Sequence, residues 1–202
     1  MEGARTAGHE VELLRLREMN FDPILHGGFT HPQPLEPALT RARDAVRWCE
    51  HMVIVTPCWW FSVPALLKGF IDRVFVPGVG VDYLDRFPYI RKLLKGRSAR
   101  VVYTQNAPQW LAVLTREDLF WRHLRRAVLG HCGFRPVRRT VLAGMQTATA
   151  QQRARWLEQV RLLGTGAVTG TGSMRGYGSP YPTAGRAPKF GGAPCDDPPG
   201  FI

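Results

Sequence analysis

The sequence contains no run of about twenty apolar residues and no basic start followed by a short apolar core. It therefore predicts neither a membrane span nor a secretory signal, and we expect a cytoplasmic protein. Cysteine is scarce as well, and its spacing forms neither a Cys-x-x-Cys pair nor a metal-ligand pattern. The four cysteines are Cys49, Cys58, Cys132 and Cys195. This usage fits a reducing compartment and predicts neither a disulfide framework nor a zinc site.

Lysine is nearly missing from a chain that is otherwise strongly basic. The 202 residues include 4 Lys and 23 Arg, and the formal net charge is +11. Many of the arginines crowd residues 122–139, and such a face attracts phosphates and acidic partners without specificity. Because no nucleic-acid-binding motif accompanies it, we predict no specific nucleic-acid partner.

Residues for metal-dependent or nucleophilic chemistry are not evident either. His26 and His31 lie in a Gly- and Pro-rich loop, HGGFTHPQP, without a neighbouring cluster of carboxylates or thiols that would complete a metal site. No paired carboxylates and no catalytic triad stand out. We therefore predict no metal site and no catalytic side chain.

The most informative stretch is residues 51–75, HMVIVTPCWWFSVPALLKGFIDRVF. The apolar run from Met52 to Val55 predicts a strand that is covered on both faces, as in a parallel sheet flanked by helices. Pro57 ends this strand, because proline cannot donate to a ladder. Three aromatic residues follow at the carboxyl end of the strand, where open parallel sheets bind ligands. They predict either a plug for the core or an apolar wall for a planar ligand.

The run from Pro57 to Gly69 closely resembles a segment of the flavodoxin-like NAD(P)H:quinone reductase family. Its pattern, Pro-x-x-Trp-Phe-x-x-Pro-Ala-x-Leu-Lys-Gly, resembles the flavin-contacting loop and the following helix of that family. GHEVELLRLREMNFDPIL and the stretches from WRHLRRAVLGHCGFRPVRR to RWLEQVRLLG resemble it too, so the resemblance extends over residues 1–164. It implies FAD or FMN as cofactor, NAD(P)H as electron donor and a quinone as acceptor.

A second loop is expected to face the first. Residues 100–104, RVVYT, predict a strand, and TQNAPQW follows at its carboxyl end. Where Gln105 and Asn106 stand, family members typically carry glycine, and the two side-chain amides can replace some hydrogen bonds. The cofactor-binding residues implied by the resemblance are Pro57, Cys58, Trp59, Trp60, Phe61, Thr104, Gln105 and Asn106.

Two further aromatic residues are expected near the substrate. Tyr83 lies in the segment that, in the family, carries aromatics reaching the pocket of the other subunit. Trp110 follows the second loop and is a candidate either for covering the flavin ring or for the plain core. The resemblance also implies a homodimer, with residues 76–90 near its interface.

The predicted fold is an α/β, flavodoxin-like three-layer sandwich with helices on both faces of a parallel sheet. Its strands are expected near 10–16, 51–57, 100–104 and 136–143, with helices at 1–7, 36–50, 116–129 and from Thr149 to Gly164. Gly78 and Gly80 predict irregular backbone between the second and third of these strands. We expect one domain over residues 1–164 and a disordered Gly/Pro-rich tail over 165–202.

In the family, a first strand and a phosphate-binding loop come before the stretch that matches residue 1 onward. In the flavodoxin-like strand order that strand lies between the strands predicted at 10–16 and 51–57. The sequence therefore predicts an open gap between these two segments, without a direct ladder across it.

Three functions remain open from the sequence. The first is a flavin-dependent NAD(P)H:quinone oxidoreductase, in which the flavin carries the chemistry and the protein holds it. The second is a non-catalytic flavodoxin-like protein that has lost flavin binding, because a cradle of backbone amides normally holds the flavin phosphate. The third is a regulatory subunit of a potassium efflux system, a role played by relatives of this family.

Overall fold

The computed structural model describes residues 1–29, 31, 33–86, 89–107 and 118–166. In chain order, its elements are α1 (Glu2–Thr6), a 3₁₀ turn (Leu16–Glu18), α2 (Pro37–Trp48), β1 (His51–Pro57), α3 (Ala65–Val74), β2 (Val81–Tyr83), β3 (Ile90–Lys92), β4 (Ser98–Gln105), α4 (Leu119–Cys132), β5 (Val137–Ala143) and α5 (Ala150–Thr165). Within α4, residues His123–Leu129 form a π-helical segment. None of the helices in these ranges is long and apolar enough to cross a membrane.

The main sheet has three parallel strands in the order β1-β4-β5. Ile54 of β1 pairs with Val101 of β4, which pairs with Arg139 of β5. Helices lie on both sides of this sheet. The predicted flavodoxin-like α/β fold is therefore confirmed, together with the strands expected near 51–57, 100–104 and 136–143.

The main hydrophobic core lies on one face of the sheet. Strand side chains that point to this face, such as Ala99, Val101 and Tyr103, pack against buried residues of α2, α3 and α4. The helical partners include Leu39, Val46, Phe70, Val74, Leu124 and Leu129. Phe134 follows α4 and closes the end of the core, with no exposed surface. Burial of these apolar side chains is the main force that holds the three layers together.

The opposite face of β1 is uncovered, contrary to the prediction of a strand buried on both faces. Val53 is 50% exposed and Val55 is 73% exposed, whereas Val102 of the neighbouring strand is 3% exposed. The periodicity of an apolar run cannot distinguish a central strand from an edge strand, since both carry apolar side chains. β1 is thus an edge strand with one open face.

The strand predicted near 10–16 does not form. This segment has no ladder, and a 3₁₀ turn follows it at Leu16–Glu18. Leu14 and Leu16 still pack against the core, so the apolar pattern reflects burial without strand pairing. A strand needs a hydrogen-bonding neighbour, and within the described ranges no residue of 10–16 pairs with β1. This agrees with the expected open gap.

Three further boundaries differ from the predictions. Residues 81–83 and 90–92 form a small antiparallel sheet in the region where Gly78 and Gly80 predicted irregular backbone. α4 begins at Leu119 rather than near 116, and Asp118 occupies its N-cap position without a capping bond. The last helix runs through Gly164 to Thr165, and Thr149 at its N-cap accepts a hydrogen bond from the N–H of Gln152. The predicted tail lies almost wholly outside the described residues.

A buried arginine fixes the long connection before α2. Arg73 of α3 is only 1% exposed. Its guanidinium donates to the carbonyl of Asp22, to that of Pro34 at 2.8 Å and to Glu36 Oε2 at 2.9 Å. Glu36 Oε1 also accepts from the backbone N–H of Asp22 at 3.0 Å. One cation thus ties both ends of the segment 22–36 to α3.

We predict that Arg73→Met lowers the free energy of unfolding by roughly 2–4 kcal/mol, because two carbonyls and a partly buried carboxylate lose their donor. Burial raises the pKa of Glu36, but hydrogen bonds from Asp22 and Arg73 outweigh it and the pKa lies below 4.5. The stabilisation by Glu36 is therefore complete above pH 4.5 and is lost as the pH falls through the lowered pKa. Urea unfolding on both sides of this pH measures both effects.

Lys68→Met is the matched control for this experiment. Lys68 donates to Asp72 at 2.6 Å, but the lysine side chain is 50% exposed. Exposed ion pairs contribute about 0–1 kcal/mol, so this variant should unfold close to the parent protein. An equal loss of stability in both variants would contradict the anchoring role of Arg73.

Candidate functional site

The carboxyl ends of β1 and β4 bring the two predicted loops together. Pro57 pairs with Thr104, the last pair of the ladder in which both strands take part. The N–H of Cys58 then donates to the carbonyl of Thr104 at 2.8 Å. Because parallel strands end at the same edge of the sheet, both loops start from a shared rigid base.

The aromatic loop turns through a tight and strained bend. Trp59 and Ser62 exchange two backbone hydrogen bonds, of 3.0 and 2.8 Å. The two residues between them have positive φ angles, 51° for Trp60 and 56° for Phe61. Hairpin turns with positive φ at both central positions normally use Asn-Gly, and non-glycine residues there cost about 1–3 kcal/mol each. Such strain is typical of functional loops.

The three aromatic side chains of this loop do not plug the core. Trp59 is 60% exposed, Trp60 is 97% exposed and Phe61 is 47% exposed. A buried indole or phenyl ring would be mostly hidden from water, so the core alternative is wrong for these residues. They form an apolar wall that faces outward from the end of the sheet.

A cavity of about 600 Å³ lies between the two loops. Its walls combine aromatic, amide and carboxylate groups. The lining residues are Cys58, Trp59, Trp60, Phe61, Gln105, Asn106, Ala107, Asp118 and Phe120. A mostly apolar cavity with a few polar groups is the usual form of a small-molecule site.

The amide side chains of the second loop are already engaged in the loop itself. Gln105 Nε2 donates to the carbonyl of Ala107 at 2.8 Å, and Asn106 Oδ1 accepts from the N–H of Gln146 at 3.2 Å. The carbonyl of Gln105 accepts from the N–H groups of Gly144 and Met145. These bonds hold the loop in shape, so the Gln105 amide nitrogen is not the free replacement donor that the sequence suggested.

Beneath the cavity lies a charged network that sequence reasoning missed. Asp118 lines the cavity and is 9% exposed, and its Oδ2 accepts a short hydrogen bond from Arg139 Nη1. The same guanidinium lies 5.4 Å from the centre of the Trp121 ring. Arg139 also bonds Tyr103, and burial, together with the charge of Asp118, raises the pKa of Tyr103 to about 12.

The alternation of side chains between the two faces of β5 could have predicted this network. Arg138 and Arg139 are adjacent in a strand, so one of them has to face the core, where a cation needs a carboxylate partner. The spacing of Thr115 and Asp118 instead predicts a capping box for this helix. Asp118 makes no capping bond, and Thr115 lies outside the described residues.

Cys58 is the one cysteine among the cavity-lining residues of the described chain. Burial raises the pKa of its thiol above the ordinary 9.0, against a weaker lowering by the N–H of Phe61. The thiol is therefore protonated at neutral pH and is a poor nucleophile.

Of the two residues expected near the substrate, the structure describes only Tyr83, and it does not place Tyr83 at this cavity. Tyr83 lies in the small antiparallel sheet, is 60% exposed and is not among the lining residues. Trp110 lies outside the described residues. The remaining predicted residues of the site lie at the cavity or, for Pro57 and Thr104, at the strand ends directly beneath it.

Known proteins are similar to this chain in sequence and in fold. It is similar to mouse ribosyldihydronicotinamide dehydrogenase (quinone), with 27% identity over 156 residues, 70% of this chain and 66% of the relative. It is also similar to the FMN-dependent NADH:quinone oxidoreductase of Nitratidesulfovibrio vulgaris, with 31% identity over 139 residues, 63% of this chain and 66% of the relative. The chain thus spans about two thirds of the length of each relative.

A solved structure supports the same assignment. Smu.1420 from Streptococcus mutans superposes with a TM-score of 0.67 and 28% identity, covering 81% of this chain and 88% of that protein. Residues 1–162 match the Flavodoxin_2 family, which is described by its flavodoxin-like fold. This match includes all three strands of the main sheet and both loops that line the cavity. The chain therefore belongs to the Flavodoxin_2 family.

Proposed function

We propose that this protein is a flavin-dependent NAD(P)H:quinone oxidoreductase. The observation that supports this most strongly is the cavity between the strained aromatic turn and the loop after β4. Relatives whose names describe quinone or NADH chemistry are similar to the chain over 70% and 63% of its length. The bound flavin, FAD or FMN, would supply hydride transfer from NAD(P)H and two-electron reduction of a quinone.

The residues around the cavity fit the ring system of a flavin. Trp60 offers an almost fully exposed indole for stacking. Its backbone N–H has no acceptor among the described residues, which leaves a donor for the polar edge of a ring. The tight turn fixes the backbone that carries both groups before a ligand arrives, so less backbone entropy is lost on binding.

The residues at the floor of the cavity would exclude water from the ligand and offer it a carboxylate acceptor. Phe120 is 2% exposed, and its ring packs 4.5 Å, centre to centre, from that of Tyr103. Arg139 holds the carboxylate of Asp118 in one orientation. The carboxylate of Asp118, whose charge is offset by Arg139, offers an acceptor at the wall to ligand groups that donate hydrogen bonds.

Trp60→Ala should weaken flavin binding by about 2- to 10-fold, the value of one aromatic stacking contact. Because Trp60 is 97% exposed, the variant should keep the parent's unfolding midpoint. Quenching of flavin fluorescence on titration measures the affinity. Oxidation of NADH in the presence of a water-soluble benzoquinone then measures the activity of the flavin-loaded protein.

Trp48→Ala is the matched control. Trp48 ends α2, is 50% exposed and does not line the cavity, so its removal should leave flavin affinity unchanged. Equal affinities for the parent and both variants would show that the aromatic turn does not hold the ring. Absence of flavin binding by the folded parent protein would favour the non-catalytic alternative.

Flavin should protect Cys58 from alkylation by iodoacetamide. Cys58 lines the cavity, whereas Cys49 lies at the other end of β1 with a thiol pKa that is also raised by burial. Peptide mapping by mass spectrometry should show slower labelling of Cys58 with saturating flavin and an unchanged rate at Cys49. Parallel changes at both sites would indicate general stabilisation instead of a ligand in this cavity.

We also propose that the protein acts as a cytoplasmic homodimer with residues 76–90 near the interface. Tyr83 supports this, because it is 60% exposed on a small sheet outside the cavity of its own chain and could contribute to a partner's pocket. Sedimentation equilibrium should give twice the mass of one chain. Tyr83→Glu should shift the protein towards monomer, since it places a charge in an apolar contact, and a clean monomer in the parent would contradict the proposal.

A further inference from the structure

One acidic side chain lines the cavity between the two loops. Among the described lining residues, Asp118 is the only one that carries a carboxylate. Asp118 is buried, and so are Phe120 and Trp121, which follow it in α4. A hydrogen bond to a carboxylate in such apolar surroundings is electrostatically stronger than the same bond in water.

Arg139 occupies one of the two oxygens of this carboxylate. Its Nη1 donates to Asp118 Oδ2, and Arg139 itself is not among the lining residues. No described residue donates a hydrogen bond to the other oxygen, Oδ1. Because a carboxylate can accept several hydrogen bonds, Asp118 keeps acceptor capacity at the wall of the cavity.

The guanidinium of Arg139 is itself held in place. It lies 5.4 Å from the centre of the Trp121 ring, within the range of a cation–π contact. It also bonds Tyr103, whose ring packs against Phe120. These contacts fix Arg139, so the orientation of the Asp118 carboxylate is set before a ligand binds.

The two amide side chains at the cavity are engaged within the protein. Gln105 Nε2 donates to the carbonyl of Ala107, and Asn106 Oδ1 accepts from the N–H of Gln146. An ionised acceptor also makes a stronger hydrogen bond than a neutral amide oxygen. Asp118 is therefore the strongest acceptor that the described lining residues offer to a ligand.

We propose that Asp118 is a specificity-determining residue of the cavity, and that its Oδ1 accepts a hydrogen bond from an amide-type N–H of a planar heterocyclic ligand. Arg139 is the positioning residue that directs this oxygen. A ligand without such a donor leaves the carboxylate desolvated and unpaired, so the cavity discriminates against it.

This role rests on the proposed function, which supplies two sources of the donor. The ring system of a flavin carries one imide N–H, and the nicotinamide of NAD(P)H carries a carboxamide. Both are planar heterocycles with an amide-type N–H, so the cavity wall alone does not distinguish them. Ligand analogues that lack only the donor do.

Two pairs of ligands test the proposal on the parent protein. In 3-methyl-FMN a methyl group replaces the imide hydrogen, and in 3-acetylpyridine adenine dinucleotide a methyl group replaces the amide nitrogen of NAD⁺. The ligand with the donor should bind about tenfold or more tightly than its analogue, in the flavin pair or in the dinucleotide pair. Fluorescence quenching measures the flavins. Equilibrium dialysis of the oxidised dinucleotides, with and without FMN, measures binding without turnover.

Asp118→Asn reverses the hydrogen bond at the wall while the side chain keeps its shape. Arg139 should retain the amide oxygen, which leaves the amide N–H₂ as a donor towards the cavity. The preference for the ligand with the donor should therefore fall to about twofold or less. Asp118→Ala should abolish it too, and it also makes room for the added methyl group of 3-methyl-FMN.

Asp72→Asn is the matched control. It removes the same charge, but Asp72 pairs with Lys68 in α3 and does not line the cavity, so the preference should equal that of the parent. Arg139→Met should lower the preference about threefold, and Arg139→Lys should restore most of it, since lysine still donates to a carboxylate. A purely structural role of Arg139 would not change the ratio of two affinities.

Equal binding within both pairs by the parent protein would overturn the proposal, and this result needs no variant that folds. A preference that survives in both Asp118 variants would also overturn it, because shape or backbone contacts would then cause the discrimination. If the parent binds FMN and oxidises NADH while either result is obtained, the proposed function stands without this role for Asp118. A folded parent that binds no FMN would contradict the proposed function, and the dinucleotide pair on the flavin-free chain then decides the role of Asp118.

Discussion

The parallel pairing of β1 with β4 is the constraint on which the rest of this structure depends. It fixes Pro57 opposite Thr104, and the two loops of the cavity can approach each other only because they leave the sheet at this pair. One pairing therefore positions both loops of the candidate flavin site.

Two arginines, one buried and one partly buried, complete the arrangement. Arg73 ties the segment 22–36 to α3 through a carboxylate and two carbonyls, and Arg139 ties Asp118 beneath the cavity. Both cations have a carboxylate partner, because a charge removed from water without partners is costly. The two arginines thus connect segments that are distant in the sequence.

Much of the candidate site could be predicted because its signals are local. The proline that ends β1 and the three adjacent aromatics identify a loop at the carboxyl end of a strand, and the structure places that loop at the cavity. The Asp118–Arg139 pair could not be found in this way, since its members are separated by 21 residues and meet only through packing. The positive φ angles of Trp60 and Phe61 could not be predicted from the sequence either, because positive φ is rare for such residues.

By itself, the sequence determined the fold class, three of the strands and the residues of the aromatic loop, because hydrophobic periodicity and proline act over a few neighbouring residues. Only the tertiary structure decided which strand lies at the edge and which apolar segment remains unpaired. Val53 and Leu14 both lie in segments that the sequence predicted as strands, yet one is half exposed on an edge strand and the other packs on the core without a ladder. Strand pairing depends on a partner that is distant in the sequence, and the residues of one segment do not determine whether such a partner lies beside it.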